Sequence, residues 1–218
     1  MTRDPDREAD LQDRRYIRGA LGEPDALMAE LEALGERDGI PIVEREVGRF
    51  LSVMTSCMLA ASILELGTAY GCSTLWMARA QPETGRIWTI DPDLSRAEIA
   101  RSFFERAGVA DRIEMIHQPA LEVLPKMQTR LFDIIFIDAL KEEYPQYFEL
   151  SIPLLKRSGL VILDNLLWHH QAAAPAAADE PETTKGIRRV TRMLFDHPEL
   201  NATLLPLGDG VGVGAKLR

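Results

Sequence analysis

Four polar residues stand where two apolar runs end, and their types suit proton transfer beside a bound cation. Leu131-Phe132-Asp133-Ile134-Ile135-Phe136-Ile137 runs into Asp138, with Lys141 three residues on, and Gly159-Leu160-Val161-Ile162-Leu163 runs into Asp164-Asn165. Apolar runs of this length read as buried parallel strands, and in open α/β sheets ligands collect beyond the carboxyl ends of such strands. Asp138, Asp164 and Asn165 together offer two carboxylates and an amide oxygen, hard donors suited to Mg²⁺ or Ca²⁺ and poor at selecting zinc over them. The plainer alternative is that Asp138 opens a helix and Asp164-Asn165 is an ordinary loop after a strand.

A second group precedes these. Glu65-Leu66-Gly67-Thr68-Ala69-Tyr70-Gly71-Cys72-Ser73-Thr74 leaves an apolar strand through a glycine-bearing loop and enters a helix that Ser73 is expected to cap. Gly67 lets a ligand approach the backbone, and Asp91 closes the next strand, Arg86–Ile90, about where nucleotide folds place the acid that binds a ribose diol. The loop is not Gly-x-Gly-x-x-Gly, and Glu65 puts a carboxylate where a dinucleotide would bring its pyrophosphate. A cationic amino group suits that place better.

The elements that must position these residues alternate from Ser62 onward. Strands at 63–66, 86–90, 113–117, 132–137 and 160–163 are separated by helical stretches at 73–80, 95–107, 121–127 and 144–155, which is the grammar of a doubly wound parallel sheet. After a helix at 186–195, Ala202–Pro206 and Val211–Lys216 read as two closing strands around the turn Gly208-Asp209-Gly210. The expected fold is therefore α/β and Rossmann-like, seven strands mostly parallel with an antiparallel closing strand. Residues 1–60 carry helical spacing (Leu27, Leu31, Leu34; Phe50, Met54, Met58) and form an N-terminal helical arm, with a helix at about 44–60, so that 1–218 makes one domain with an α/β core at 61–218. Ala172–Thr184, rich in Ala and bracketed by Pro, reads as a mobile loop, either a lid or a surface excursion.

Composition narrows the partners. With 34 acidic against 25 basic residues and a net charge of −9, the chain is a poor match for nucleic acid, and Arg14, Arg15 and Arg18 read as a solvated helix face. No run of apolar residues is long enough to span a bilayer, and Met1–Glu8 lacks the apolar core of a secretory signal, so the cytoplasm is the expected compartment. Cys57 and Cys72 have no Cys-x-x-Cys spacing and read as buried small hydrophobes.

Taken together, Glu65-Leu66-Gly67-Thr68-x-x-Gly71-x-Ser73-Thr74, Ile90-Asp91-Pro92-Asp93, Pro119-Ala120-Leu121-Glu122, Phe136-Ile137-Asp138-Ala139-x-Lys141-x-x-Tyr144, Leu163-Asp164-Asn165-x-Leu167-Trp168 and Leu205-Pro206-x-Gly208-Asp209-Gly210 are similar to the cation-dependent class I S-adenosylmethionine O-methyltransferases of the catechol and caffeoyl-CoA type. The resemblance runs from about Ile40 to Lys216. It implies that Glu65 holds the amino group of S-adenosylmethionine, that Gly67 and Ser73 line its methionine part, that Asp91 binds the ribose, that Ala120 lies by the adenine, and that Val43 touches the cofactor through its backbone. Tyr70 belongs either to this cofactor site, as Asp138 does, or to the packing around it. Asp138, Asp164 and Asn165 would hold the divalent cation, Mg²⁺ first with Ca²⁺ and Mn²⁺ as other candidates. Lys141 would be the general base for the acceptor hydroxyl, since a nearby cation disfavours an ammonium. The implied partners are a small hydroxylated aromatic substrate and a second copy of the chain.

Three positions depart from the family pattern. Leu140 replaces a frequent second Asp, Thr191 stands where many relatives have Asn, and His169-His170 after Trp168 is uncommon, either solvated or facing the site. His117, at the end of the third strand, reads as a bland polar contact. The leading expectation is methylation of one hydroxyl of a vicinal diol. A non-catalytic S-adenosylmethionine-binding protein and a nicotinamide-dependent dehydrogenase are the alternatives on the same fold.

Overall fold

The computed structural model describes residues 5–177 and 179–217; the first four residues of the polar opening segment, Ala178 and Arg218 lie outside it, as do the side chains of residues 5–11 and Arg14. The helical arm comprises α1 (Pro5–Leu21), α2 (Ala26–Asp38) and α3 (Arg45–Cys57). Asp25 starts α2 by accepting the amides of Leu27 and Met28, and Gly39 ends it in the left-handed conformation. Seven strands follow, interleaved with helices: β1 (Ser62–Leu66), α4 (Cys72–Ala80), β2 (Arg86–Ile90), α5 (Leu94–Arg106), β3 (Ile113–Ile116), α6 (Ala120–Val123), β4 (Phe132–Ile137), α7 (Tyr144–Ser151), β5 (Leu155–Leu163), α8 (Glu182–Asp196), β6 (Leu200–Leu205) and β7 (Val211–Lys216).

The strand order is β3-β2-β1-β4-β5-β7-β6, with β7 antiparallel to both neighbours and the other pairings parallel. This is the expected doubly wound sheet with its antiparallel closing strand. Alternate residues of the central strands feed two cores: Ile135 and Ile137 pack towards α6, α7 and α8, whereas Ile134 and Phe136 pack towards α3, α4 and α5. Among the described residues no helix is long and apolar enough to cross a membrane.

Register puts the candidate residues on one line. Ile116, Ile90, Leu66, Ile137 and Leu163 are Cα partners across the five parallel strands. The ladder continues one residue further, with Asp91 N–H donating to Ile116, Gly67 to Ile90, Asp138 to Leu66 and Asp164 to Ile137. Asp91, Gly67, Asp138 and Asp164 therefore form a row along the carboxyl edge of the sheet.

Several boundaries differ from expectation. The 144–155 helix ends at Ser151, because Pro153 cannot donate to a continuing helix, and a 3₁₀ turn at Ile152–Leu154 hands the chain to β5, which begins at Leu155 rather than Leu160. The 121–127 helix is one short turn followed by a 3₁₀ turn at Leu124–Lys126. The 172–184 segment is shorter than expected, since α8 already starts at Glu182. Cys72 is buried but Cys57 is exposed, because it lies on the last turn of α3, off the face that packs on the sheet.

At the opposite, amino edge one carboxylate ties three segments: Asp133 accepts the amides of Ala61 and Ser62 at 3.0 and 2.9 Å and the Lys156 ammonium at 2.8 Å. Asp133→Ala should lower stability by about 1–2 kcal/mol through the partly buried donors it strands, seen as a lower urea midpoint with an unchanged slope.

Candidate active site at the carboxyl edge of the sheet

Glu65 is the most constrained residue on the cofactor side. It is fully buried, and three hydroxyls converge on it: Ser73 donates to Oε1 at 2.6 Å, Thr89 to Oε2 at 2.6 Å, and Thr74 also to Oε2. Burial pushes its carboxyl up to about 7, against the pull of these hydrogen bonds, with Asp138 adding to the rise. Ser73 consequently does not cap α4. The left-handed Gly71 stands at the cap position and Ser73 lies inside the first turn with its hydroxyl committed to Glu65.

The loop between them is shaped by its neighbours. A Cβ at Gly67, where φ is +102°, would lie 1.9 Å from the carbonyl oxygen of Asp138, so this glycine is required by the end of β4 itself. Asp91 bridges the loop and the next helix, accepting Ala69 N–H at 2.9 Å through Oδ2 and Asp93 N–H at 3.0 Å through Oδ1. Tyr70 is buried and donates to Asp38 at 2.9 Å, a contact that tethers the loop to α2. Val43 and Ala120 are buried at the start of α3 and of α6, and His117, next after β3, has a buried Nδ1 without a hydrogen-bond partner.

On the acid side, Asp164 is 1% exposed and receives the Asn165 amide at 2.7 Å. Its carboxyl is held well above the usual range by burial and then by Asp138, with Glu44 pushing the same way. Asn165 adopts φ +61°, a left-handed conformation that Asn tolerates better than most residues. Lys141 Nζ lies 2.6 Å from Asp138 Oδ1 and 2.7 Å from the Tyr144 hydroxyl. Two adjacent carboxyl groups and an amide oxygen are hard oxygen donors, and donors of this kind fit a divalent cation. Among the described residues no three His, Cys, Asp or Glu side chains cluster as a metal site; Asp138, Asp164 and the Asn165 amide are the hard oxygen donors that could hold a cation at this edge.

Residues without an assigned role in the sequence hold this edge in place. The Gly208–Gly210 turn grips the segment after Asn165: Gly210 and Asp209 carbonyls accept Leu166 and Leu167 N–H, and the Asp209 carboxylate accepts His169 N–H at 2.8 Å. His169 and His170 are exposed, and Leu140 is also solvent-facing. Thr191 donates to Ile187 within α8, so its hydroxyl is spent on its own helix. Helix α8 reaches the Lys141 turn because residue 186 is glycine; a Cβ there would come 2.3 Å from the Lys141 carbonyl oxygen. The sequence signals for Thr74, Thr89, Asp209 and Gly186 are single common residues, and spacing alone gives them no partner.

A family model described as O-methyltransferase matches residues 23–217. A catechol O-methyltransferase of Mycobacterium tuberculosis is 35% identical over 186 residues, covering 85% of this chain and 83% of the relative. A caffeoyl-CoA O-methyltransferase of Populus kitakamiensis is 32% identical, covering 87% of this chain and 83% of its own length. Among solved structures, the O-methyltransferase TomG from Streptomyces achromogenes, involved in tomaymycin synthesis and in complex with SAM, superposes with a TM-score of 0.84 at 30% identity, covering 93% of this chain and 95% of that one.

The buried Glu65 sets a pH dependence. Its folded-state value, about 7, is above the ordinary 4.5, so the folded protein binds the proton more tightly and loses stability as pH rises from 4.5 through 7. The loss attributable to this group is about 3 kcal/mol. Urea unfolding of the unliganded protein at pH 5 and pH 8 should show Glu65→Gln gaining on the parent by roughly that amount at the higher pH.

Proposed function

The chain belongs to the O-methyltransferase family, and from that premise we propose that this S-adenosylmethionine-dependent enzyme methylates one hydroxyl of a small vicinal diol, of catechol or hydroxycinnamoyl type, beside a bound divalent cation. The observation that carries the proposal is the backbone contact of Gly67 with Asp138, which sets the glycine loop directly against the acid-tipped end of β4. A methyl donor on the loop and an acceptor on the acids would then be neighbours, and alignment is most of what this transfer asks of a protein.

The donor already carries its driving force as a sulfonium. In our account the Gly67–Ser73 loop receives its methionine part, Asp91 its ribose and the Ala120 turn its adenine, with the Val43 backbone closing over it. Glu65 acts from beneath, its carboxylate holding Ser73, Thr74 and Thr89 so that the loop keeps its shape. Asp138, Asp164 and Asn165 would hold the cation, which when bound would supply Lewis acidity towards the acceptor hydroxyl. Lys141 takes the hydroxyl proton as the acceptor oxygen forms its bond to the methyl carbon, the carbon–sulfur bond breaks and the electron pair stays on sulfur, leaving S-adenosylhomocysteine. Charge arithmetic supports the assignment: two carboxylates balance a divalent cation, so Lys141 would not be needed to neutralise them.

The intact set Asp138, Lys141, Asp164 and Asn165 speaks against a binding protein without turnover, and Glu65 against a dinucleotide enzyme. We place the whole chain in one catalytic unit working as a homodimer. A methyl-transfer screen over catechols and hydroxycinnamoyl thioesters should find an acceptor in Mg²⁺ and lose it in EDTA. On that acceptor, Lys141→Ala should lower kcat by about 10²–10⁴ and Asp164→Ala should abolish the response to Mg²⁺. Full activity in both variants would overturn the mechanism.

A further inference from the structure

Among the described residues Tyr144 is the largest side chain with no solvent exposure, and its hydroxyl lies at the acid edge, beside Lys141 and the carbonyl of Asp164. It accepts a hydrogen bond from Lys141 Nζ at 2.7 Å and faces two backbone carbonyls, Ile137 at 3.2 Å and Asp164 at 3.3 Å. The first closes β4, just before Asp138, and the second belongs to the acid that follows β5. A phenol has one proton and two lone pairs, so this hydroxyl can donate to the carbonyls while accepting from the amine.

We propose that Tyr144 is a positioning residue for the transfer: its hydroxyl fixes the Lys141 amine in place and ties that amine to the two strand ends that carry the acids. The inference rests on the function given above in taking Lys141 as the base. A lysine head on four carbons with one ion pair can pivot about its partner, here Asp138. The second contact with Tyr144 removes that freedom, and the Lys141 ammonium also lies 4.8 Å from the Tyr144 ring centroid. The turn carrying the lysine is held from the other side by α8 at Gly186. Misplacing a proton acceptor by about 1 Å costs on the order of 10²-fold in rate, so a modest slackening of Lys141 has a visible cost.

Tyr144→Phe keeps the ring and removes the oxygen. In the unliganded protein, ¹⁵N–¹H spectra of the lysine ammonium groups, with Lys141 assigned by Lys141→Arg, should show a proton-exchange-protected Lys141 signal. That signal should be lost in Tyr144→Phe and kept in Tyr147→Phe, whose hydroxyl instead donates to Glu143. An equally protected signal in Tyr144→Phe would overturn the proposal whether or not an acceptor has been found. On an acceptor, Tyr144→Phe should lower kcat about 10- to 100-fold with KM for both substrates within about twofold. The double variant Tyr144→Phe/Lys141→Ala should be no slower than Lys141→Ala, because the tyrosine acts through the lysine. Multiplying losses, or an unchanged kcat in Tyr144→Phe, would also overturn it. A parent enzyme that methylates nothing in the screen would instead count against the function, leaving the spectra to decide the role of Tyr144.

Discussion

The carbonyl oxygen of Asp138 comes so close to residue 67 that no side chain fits there, and the architecture of the candidate site follows from that contact. It joins the loop after β1 to the acid after β4, two points 71 residues apart in the chain and adjacent in the sheet. Because β1 pairs with β2 and β4 with β5 in matching register, fixing this one point also sets Asp91 on one flank and Asp164 on the other. A central strand cannot slip by one residue without sending the side chains of each core into the other, so the row of polar residues is fixed along with the two cores.

Beneath the row lie buried polar groups that would be costly if left alone. Glu65 is surrounded by hydroxyls from α4 and β2, and Lys141 is shared between Asp138 and Tyr144. Each arrangement satisfies a group that the fold has removed from water, and each specifies a geometry more tightly than apolar packing does. The edge is completed from outside: the Gly208–Gly210 turn holds the segment after Asn165, and α8 presses on the Lys141 turn.

The catalogue of elements was legible because hydrophobic period and turn residues are local signals. The five parallel strands, the two closing strands and the arm of helices follow from runs such as Ile134–Ile137 and Leu160–Leu163 and from the breaks around Gly39 and Gly208. Boundaries were less legible where two local preferences compete. Pro153 ends a stretch whose apolar spacing reads as helix through Leu155, and β5 begins earlier than its apolar run because pairing with Phe132 recruits Leu155.

By itself the sequence determined which residue types stand at strand ends, since acids following apolar runs are visible in one dimension; it thereby determined the fold class and the resemblance to the O-methyltransferases, which the family match then bore out. Only the tertiary structure decided what those residues touch. Glu65 and Ser73, eight positions apart, turned out to be partners; Tyr70 turned out to bind Asp38 on the arm; and Tyr144 turned out to reach both Lys141 and the carbonyl of Asp164. The physical reason is that hydrogen-bond partnership depends on a few ångströms of approach, which separation along the chain does not set. Those distances are set by register and packing, which no local pattern of residues contains.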